Sequence, residues 1–180
     1  MTHFEYLSVA VSIIFALSIG RLVAALPNVV SSGRRDWLHV GHFACLLVVQ
    51  MQFWWRMWQF KSVTEWDFLG FFLLFAVTLL YYLATHILVP ANYAEVDDWQ
   101  DHFAMNQQWF HGIVALAWAS SGAVSGYLMK VFFIPPPMPI TVLLFATAIA
   151  YSRRWFHFVV LVWWASLLTV ITLGLQQGAA

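Results

Sequence analysis

Histidine is the side chain in this sequence best equipped for chemistry, and its placement is not random. Of the 7 histidines, all but His3 fall near one set of apolar-segment ends. His39 and His42 open one segment and His86 lies near the end of the next. His102 sits in an acidic stretch with Glu95, Asp97, Asp98 and Asp101. His111 and His157 each lie near the start of a later segment. Imidazole titrates near neutral pH and carries two nitrogens that can donate, accept or bind metal. Three chemistries follow. Imidazoles, with or without carboxylates, could bind zinc or another transition metal. Two imidazoles from neighbouring helices could hold a haem or other tetrapyrrole axially. Histidines along a polar route could relay protons. Against these stands the plain alternative that each is an interfacial residue with no ligand, since the ring is amphipathic. The spacing selects none of them: His39 and His42 are three apart and lack the glutamate and i,i+4 spacing of the helical zinc motif. The candidate cofactor or metal ligands are His39, His42, His86, His111 and His157.

A second candidate is a polar path. His39, His42, Leu46, Gln50 and Phe53 fall on one helix face. Gln50 lies near the middle of its segment, where an unpaired amide is costly in hydrocarbon. Ser12, Thr78 and Ser121 lie at similar depth, so these four side chains could line a route between helices or act as interhelical glue. A third feature is Ser121-Gly122-Ala123-Val124-Ser125-Gly126. Gly122 and Gly126 at this spacing let two helix backbones approach closely, within one chain or between two copies.

These side chains have to be positioned by a membrane. The chain is 62% hydrophobic and 9% charged, with a mean hydropathy of +0.76; a soluble domain has about 45–50% apolar and about 25% charged residues. A helix crosses the hydrocarbon core with about 20 apolar residues. The pattern predicts an all-α bundle of six transmembrane helices in a single domain, spanning about 4–26, 37–60, 66–89, 109–133, 139–151 and 155–175. Pro27, Pro90 and the run Pro135-Pro136-Pro137 bound these spans. Asp36 and Thr64 are predicted caps. The fifth span is short, and five helices are the alternative. Trp37, Trp54, Trp55, Trp58, Trp66, Trp109 and Trp155 mark the interfaces. Val96, Trp99, Phe103 and Phe110 predict a short helix lying in the headgroup layer.

Arg34, Arg35, Arg153 and Arg154, with Arg21 nearby, outnumber Lys61, Lys130 and Arg56 on the other side. The positive-inside rule then places both termini outside the cytoplasm. Arg21 and Arg56 are expected to snorkel from near helix ends. No acidic or basic residue falls in the middle third of a predicted span, which weakens an ion-coupled transporter. Phosphate loops, the nucleophile elbow and His-Glu-x-x-His are absent from the sequence, so nothing points to an enzyme. A net charge of zero gives no sign of a nucleic-acid partner. No cleavable signal peptide is evident, and Cys45 alone can form no internal disulfide.

Phe4-Glu5-Tyr6-Leu7-Ser8-Val9, running into Gly20-Arg21-Leu22, resembles the start of small multi-pass bacterial inner-membrane proteins of unassigned function. The resemblance covers the first helix and the general layout. It implies a bacterial inner membrane and carries no site residues. Three functions stay open: a small channel or transporter-like unit, a haem-, pigment- or metal-binding membrane protein, and an accessory subunit packed in a homo-oligomer or larger complex.

Overall fold

The computed structural model describes residues 2–31, 33, 35–130 and 137–177. They form six α-helices joined by short connections, with no strand among the described residues. The helices are α1 (His3–Val30), α2 (Trp37–Arg56), α3 (Phe68–Leu88), α4 (Trp99–Met129), α5 (Pro137–Ala150) and α6 (Arg154–Gln177), with 3-10 turns at Met57–Ser62 and Tyr93–Glu95. Neighbours follow the order α1, α3, α4, α5, α6, α2 and back to α1, while α2 also reaches α3 and α4.

Four helical segments are long and apolar enough to cross a membrane: His3–Val30, Phe68–Glu95, Trp99–Met129 and Arg154–Leu175. Large apolar side chains face outward from them, including Leu17, Phe72, Leu116, Val162 and Val170. In water such a surface would drive aggregation; in lipid it is the solvated one. The chain is a multi-pass helical membrane protein. The second helix does not reach the same apolarity because it carries His39, His42, Gln50 and Gln52, all buried against other helices. The fifth helix has 14 residues, about 21 Å of rise.

Local chemistry sets the helix ends. Thr2 and Glu5 form a reciprocal capping box on α1. Asp36 caps α2 as the sequence predicts, accepting from the Leu38 and His39 amides. Its carboxylate also pairs with Arg154, the first residue of α6. The cap of α3 is Asp67 rather than Thr64, because α3 starts at Phe68. Asp67 accepts from the Gly70 amide at 2.7 Å and from the Tyr127 hydroxyl. The Tyr127 bond, and then the Gly70 bond, hold this carboxyl below the usual aspartate range.

The structure corrects three further expectations. The first helix does not stop at Pro27 but continues to Val30: proline forfeits one amide bond, and the remaining ladder carries the last turn. Arg21 therefore lies farther from a helix end than expected, and its Nε donates to the Val89 carbonyl at the end of α3 at 2.8 Å. The predicted headgroup-layer helix does not exist as such. Trp99, Phe103 and Phe110 belong to the first turns of α4 and are 0%, 3% and 0% exposed, so their stripe faces the core. Arg34, Phe133, Pro135 and Pro136 lie outside the described residues.

One buried network ties three helices together. Thr85 donates its hydroxyl hydrogen to the Tyr81 carbonyl at 3.1 Å. Its oxygen is then left to accept from Ser18 of α1, at 2.7 Å, and from Gln50 of α2, at 3.1 Å. Gln50 Oε1 has no partner. A Thr85→Val substitution strands two buried donors and should destabilise the protein by about 1–3 kcal/mol. Gln50→Leu also removes an unpaired oxygen and should cost less, about 1 kcal/mol or below. Reversible denaturation in mixed micelles should give that order; the reverse order would show that Gln50, not Thr85, is the node.

Candidate functional site

The histidines converge. His39, His42, His111 and His157 are all 0% exposed. They come from α2, α4 and α6, and the layer is completed by Phe145 of α5 and Trp164 of α6. The ring centres of His42 and His111 are 5.2 Å apart, and those of His111 and His157 are 5.0 Å apart. His39 stands beside them, stacked on Trp99 at 4.6 Å. Trp99 in turn donates its indole N–H to the Asn28 carbonyl of α1.

At the centre is an apolar ring. Phe103 lies 4.9 Å from His42, 6.0 Å from His111, 6.1 Å from His39 and 6.3 Å from His157, centre to centre. Phe110, Phe145 and Trp164 close the shell around His42 and His111. The site is closed to the outside and aromatic, and no carboxylate hydrogen-bonds to its rings among the described residues. Asp36 is the nearest buried acid, three residues before His39, and it is committed to the α2 amides and Arg154.

The hydrogen bonds fix the ring states. His42 Nδ1 is 2.9 Å from the Leu38 carbonyl, and His111 Nδ1 is 2.6 Å from the Gln107 carbonyl. A carbonyl only accepts, so each Nδ1 carries the hydrogen. Each Nε2 in a neutral ring is then a bare lone pair, and both are buried without a partner. His39 has the opposite arrangement, with Nε2 donating to the Leu88 carbonyl at 2.9 Å and Nδ1 unpartnered. His157 makes no well-formed bond at either nitrogen, with the Tyr151 backbone a weak polar neighbour. Buried polar atoms are nearly always paired, and each unpaired one costs about 1–3 kcal/mol. Here they gather in one place.

The remaining candidates lie elsewhere. His86 is half-buried, bonds the Tyr82 carbonyl in its own helix and packs at a tilt against the Tyr82 ring. Ser12 accepts from Trp54 on an exposed face. Thr78 bonds the Leu74 carbonyl, and Ser121 bonds the Ala117 carbonyl. Gln50 belongs to the Thr85 network. These four side chains thus have separate partners. Gly122 faces Met138 of α5, whose side-chain end occupies the space a β-carbon would take; the small residue seats α5 against α4 within the chain.

Among the described residues, no three His, Cys, Asp or Glu side chains already close round a point that could hold an ion. His42 and His111 form the fixed pair, and His157 would have to turn its ring to join them. A tetrapyrrole fits less well. Phe103 and Phe110 fill the space against these rings, and the principal clefts among the described residues are lined by none of the four histidines. Phe103, which the sequence pattern assigns to the headgroup layer, sits instead at the centre of this site. Its signal was the run Trp99, Phe103, Phe110, which continues the buried face of α4.

No family model, curated protein or solved structure matches the chain.

Phe103→Ala should open a void between four imidazoles and destabilise the protein by about 3 kcal/mol or more, as large aromatic truncations in packed cores do. Denaturation in micelles measures this; a cost under about 1 kcal/mol would mean that the cluster does not depend on its central ring.

Proposed function

We propose that this membrane protein binds a divalent first-row transition-metal ion between α2, α4 and α6. His42 and His111 are the fixed ligands and His157 is the third. The supporting observation is the pair of bare Nε2 lone pairs on rings already anchored through Nδ1–H to backbone carbonyls. Metal-binding histidines typically donate their other nitrogen in this way, which sets the tautomer and orients the ring. Neutral imidazoles suit zinc, copper, nickel and iron.

The separations are compatible with this. An imidazole nitrogen about 2.0–2.1 Å from zinc puts its ring centre about 3.2 Å from the ion, so two ligands at a tetrahedral angle stand about 5 Å apart. The observed separations are 5.2 and 5.0 Å. A bound ion would satisfy orphaned nitrogens that the fold otherwise leaves buried. It would lie near one membrane face, close to the first turn of α4, where the His102 ring is 6.2 Å from that of His39. The interfacial alternative loses its basis at these positions, because the rings do not touch the interface. The resemblance of the first helix supports a bacterial inner membrane as the setting, and the arginine distribution supports both termini outside the cytoplasm.

The test is metal content of tag-free protein purified in detergent, stripped with chelator and reloaded with zinc(II) or cobalt(II). About one ion per chain should be retained, with visible bands of tetrahedral cobalt, and retention should fall on acidification because protons compete for the same lone pairs. His42→Phe and His111→Phe should each abolish it, while His86→Phe should not. Wild-type protein that retains no more metal than the His42→Phe/His111→Phe double variant would overturn the reading.

A further inference from the structure

A second site lies toward the other end of the bundle. A cleft of about 380 Å³ opens between the end of α2, the second half of α4, the start of α5 and α6. Its walls are apolar on one side, with Phe53, Met138, Leu167 and Ile171. On α4, Ser121, Gly122, Ser125 and Gly126 complete the lining, and the Met138 side chain of α5 packs onto Gly122. Ser121 and Ser125 spend their hydroxyl hydrogens on carbonyls of their own helix.

Two donors on this lining make no side-chain hydrogen bond or ion pair among the described residues. Arg56 pairs with no carboxylate among the described residues, whereas Lys130 pairs with Glu65 and Lys61 lies over the Trp58 ring. The Trp118 indole N–H is buried and has no partner. A guanidinium offers a planar fork of donors that matches a carboxylate, and the combination is stronger than a neutral hydrogen bond. The cleft therefore joins an anion-seeking end to an apolar trough. Its volume lies at the low end of small-ligand sites, suited to one acyl chain rather than to two chains joined by a glycerol.

We propose that this cleft binds a long-chain fatty acid, with its carboxylate at Arg56, its chain along Phe53, Leu167 and Ile171, and the Trp118 N–H as a further donor. This site is independent of the histidine cluster, and neither proposal needs the other.

The probe is oleate, measured by native mass spectrometry and equilibrium dialysis on delipidated wild-type protein in detergent. Oleyl alcohol and a phosphatidylglycerol form parallel arms. Oleate should bind one to one, and at least about tenfold more tightly than oleyl alcohol, because only oleate offers a charge to Arg56. Arg56→Gln should weaken oleate about tenfold, whereas Lys61→Gln, at a cation on the same side, should not. Ser125→Leu should block the trough and abolish binding while helical content by circular dichroism stays that of wild type. Equal binding of the alcohol, an unchanged affinity in Arg56→Gln, or preference for the phospholipid over oleate would each overturn the assignment.

Discussion

Hydrocarbon offers no hydrogen-bond partner, so a polar side chain in a membrane helix must find one inside the protein. The architecture follows from that constraint. The α2 helix carries His39, His42, Gln50 and Gln52, and it is the helix that touches α1, α3, α4 and α6. His42 bonds the Leu38 carbonyl of its own helix, and the other three polar groups are answered by α3 and α6. Gln50 meets Thr85 of α3, Gln52 meets the Leu168 carbonyl and Thr172 of α6, and His39 meets the Leu88 carbonyl at the end of α3. The apolar faces of the other helices are left to lipid. The constraint is not met at the free nitrogens of the histidine layer, at one Arg21 nitrogen, at Gln50 Oε1 and at the indoles of Trp118 and Trp164.

Much of the fold was legible because hydropathy and proline placement are local signals. Six helices and the Asp36 cap follow from them. The errors came where a local signal was ambiguous. Asp97, Asp98 and Asp101 made the start of α4 read as a surface segment, although the aromatic stripe from Trp99 to Phe110 runs unbroken into the core. Thr64 and Asp67 both suit a helix start, and only the register of α3 chooses between them. Pro27 read as a stop, although a proline near a helix end removes only one bond.

The histidine site was half legible. Residue type and membrane end could be read from spacing, but convergence depends on how each helix is rotated about its axis. That rotation is set by packing between helices distant in sequence. His86 shares the level but turns toward Tyr82, while His42, His111 and His157 turn inward. The Nδ1 bonds of His42 and His111 are local, each to the carbonyl four residues earlier. The missing partner on the other side of each ring is what only the three-dimensional arrangement reveals.

The pairing of Asp36 with Arg154 bears on how the protein is made. The two residues are separated by 118 positions. A ribosome delivers α2 to the membrane long before α6, so Asp36 waits with its cap formed but its counter-ion absent until α6 arrives. His157, three residues beyond Arg154, arrives with it. The same docking event that neutralises Asp36 also brings the last imidazole to its layer, so a chain cut short before α6 lacks both. The order of synthesis thus makes the delivery of α6 a precondition for bringing the four imidazoles together.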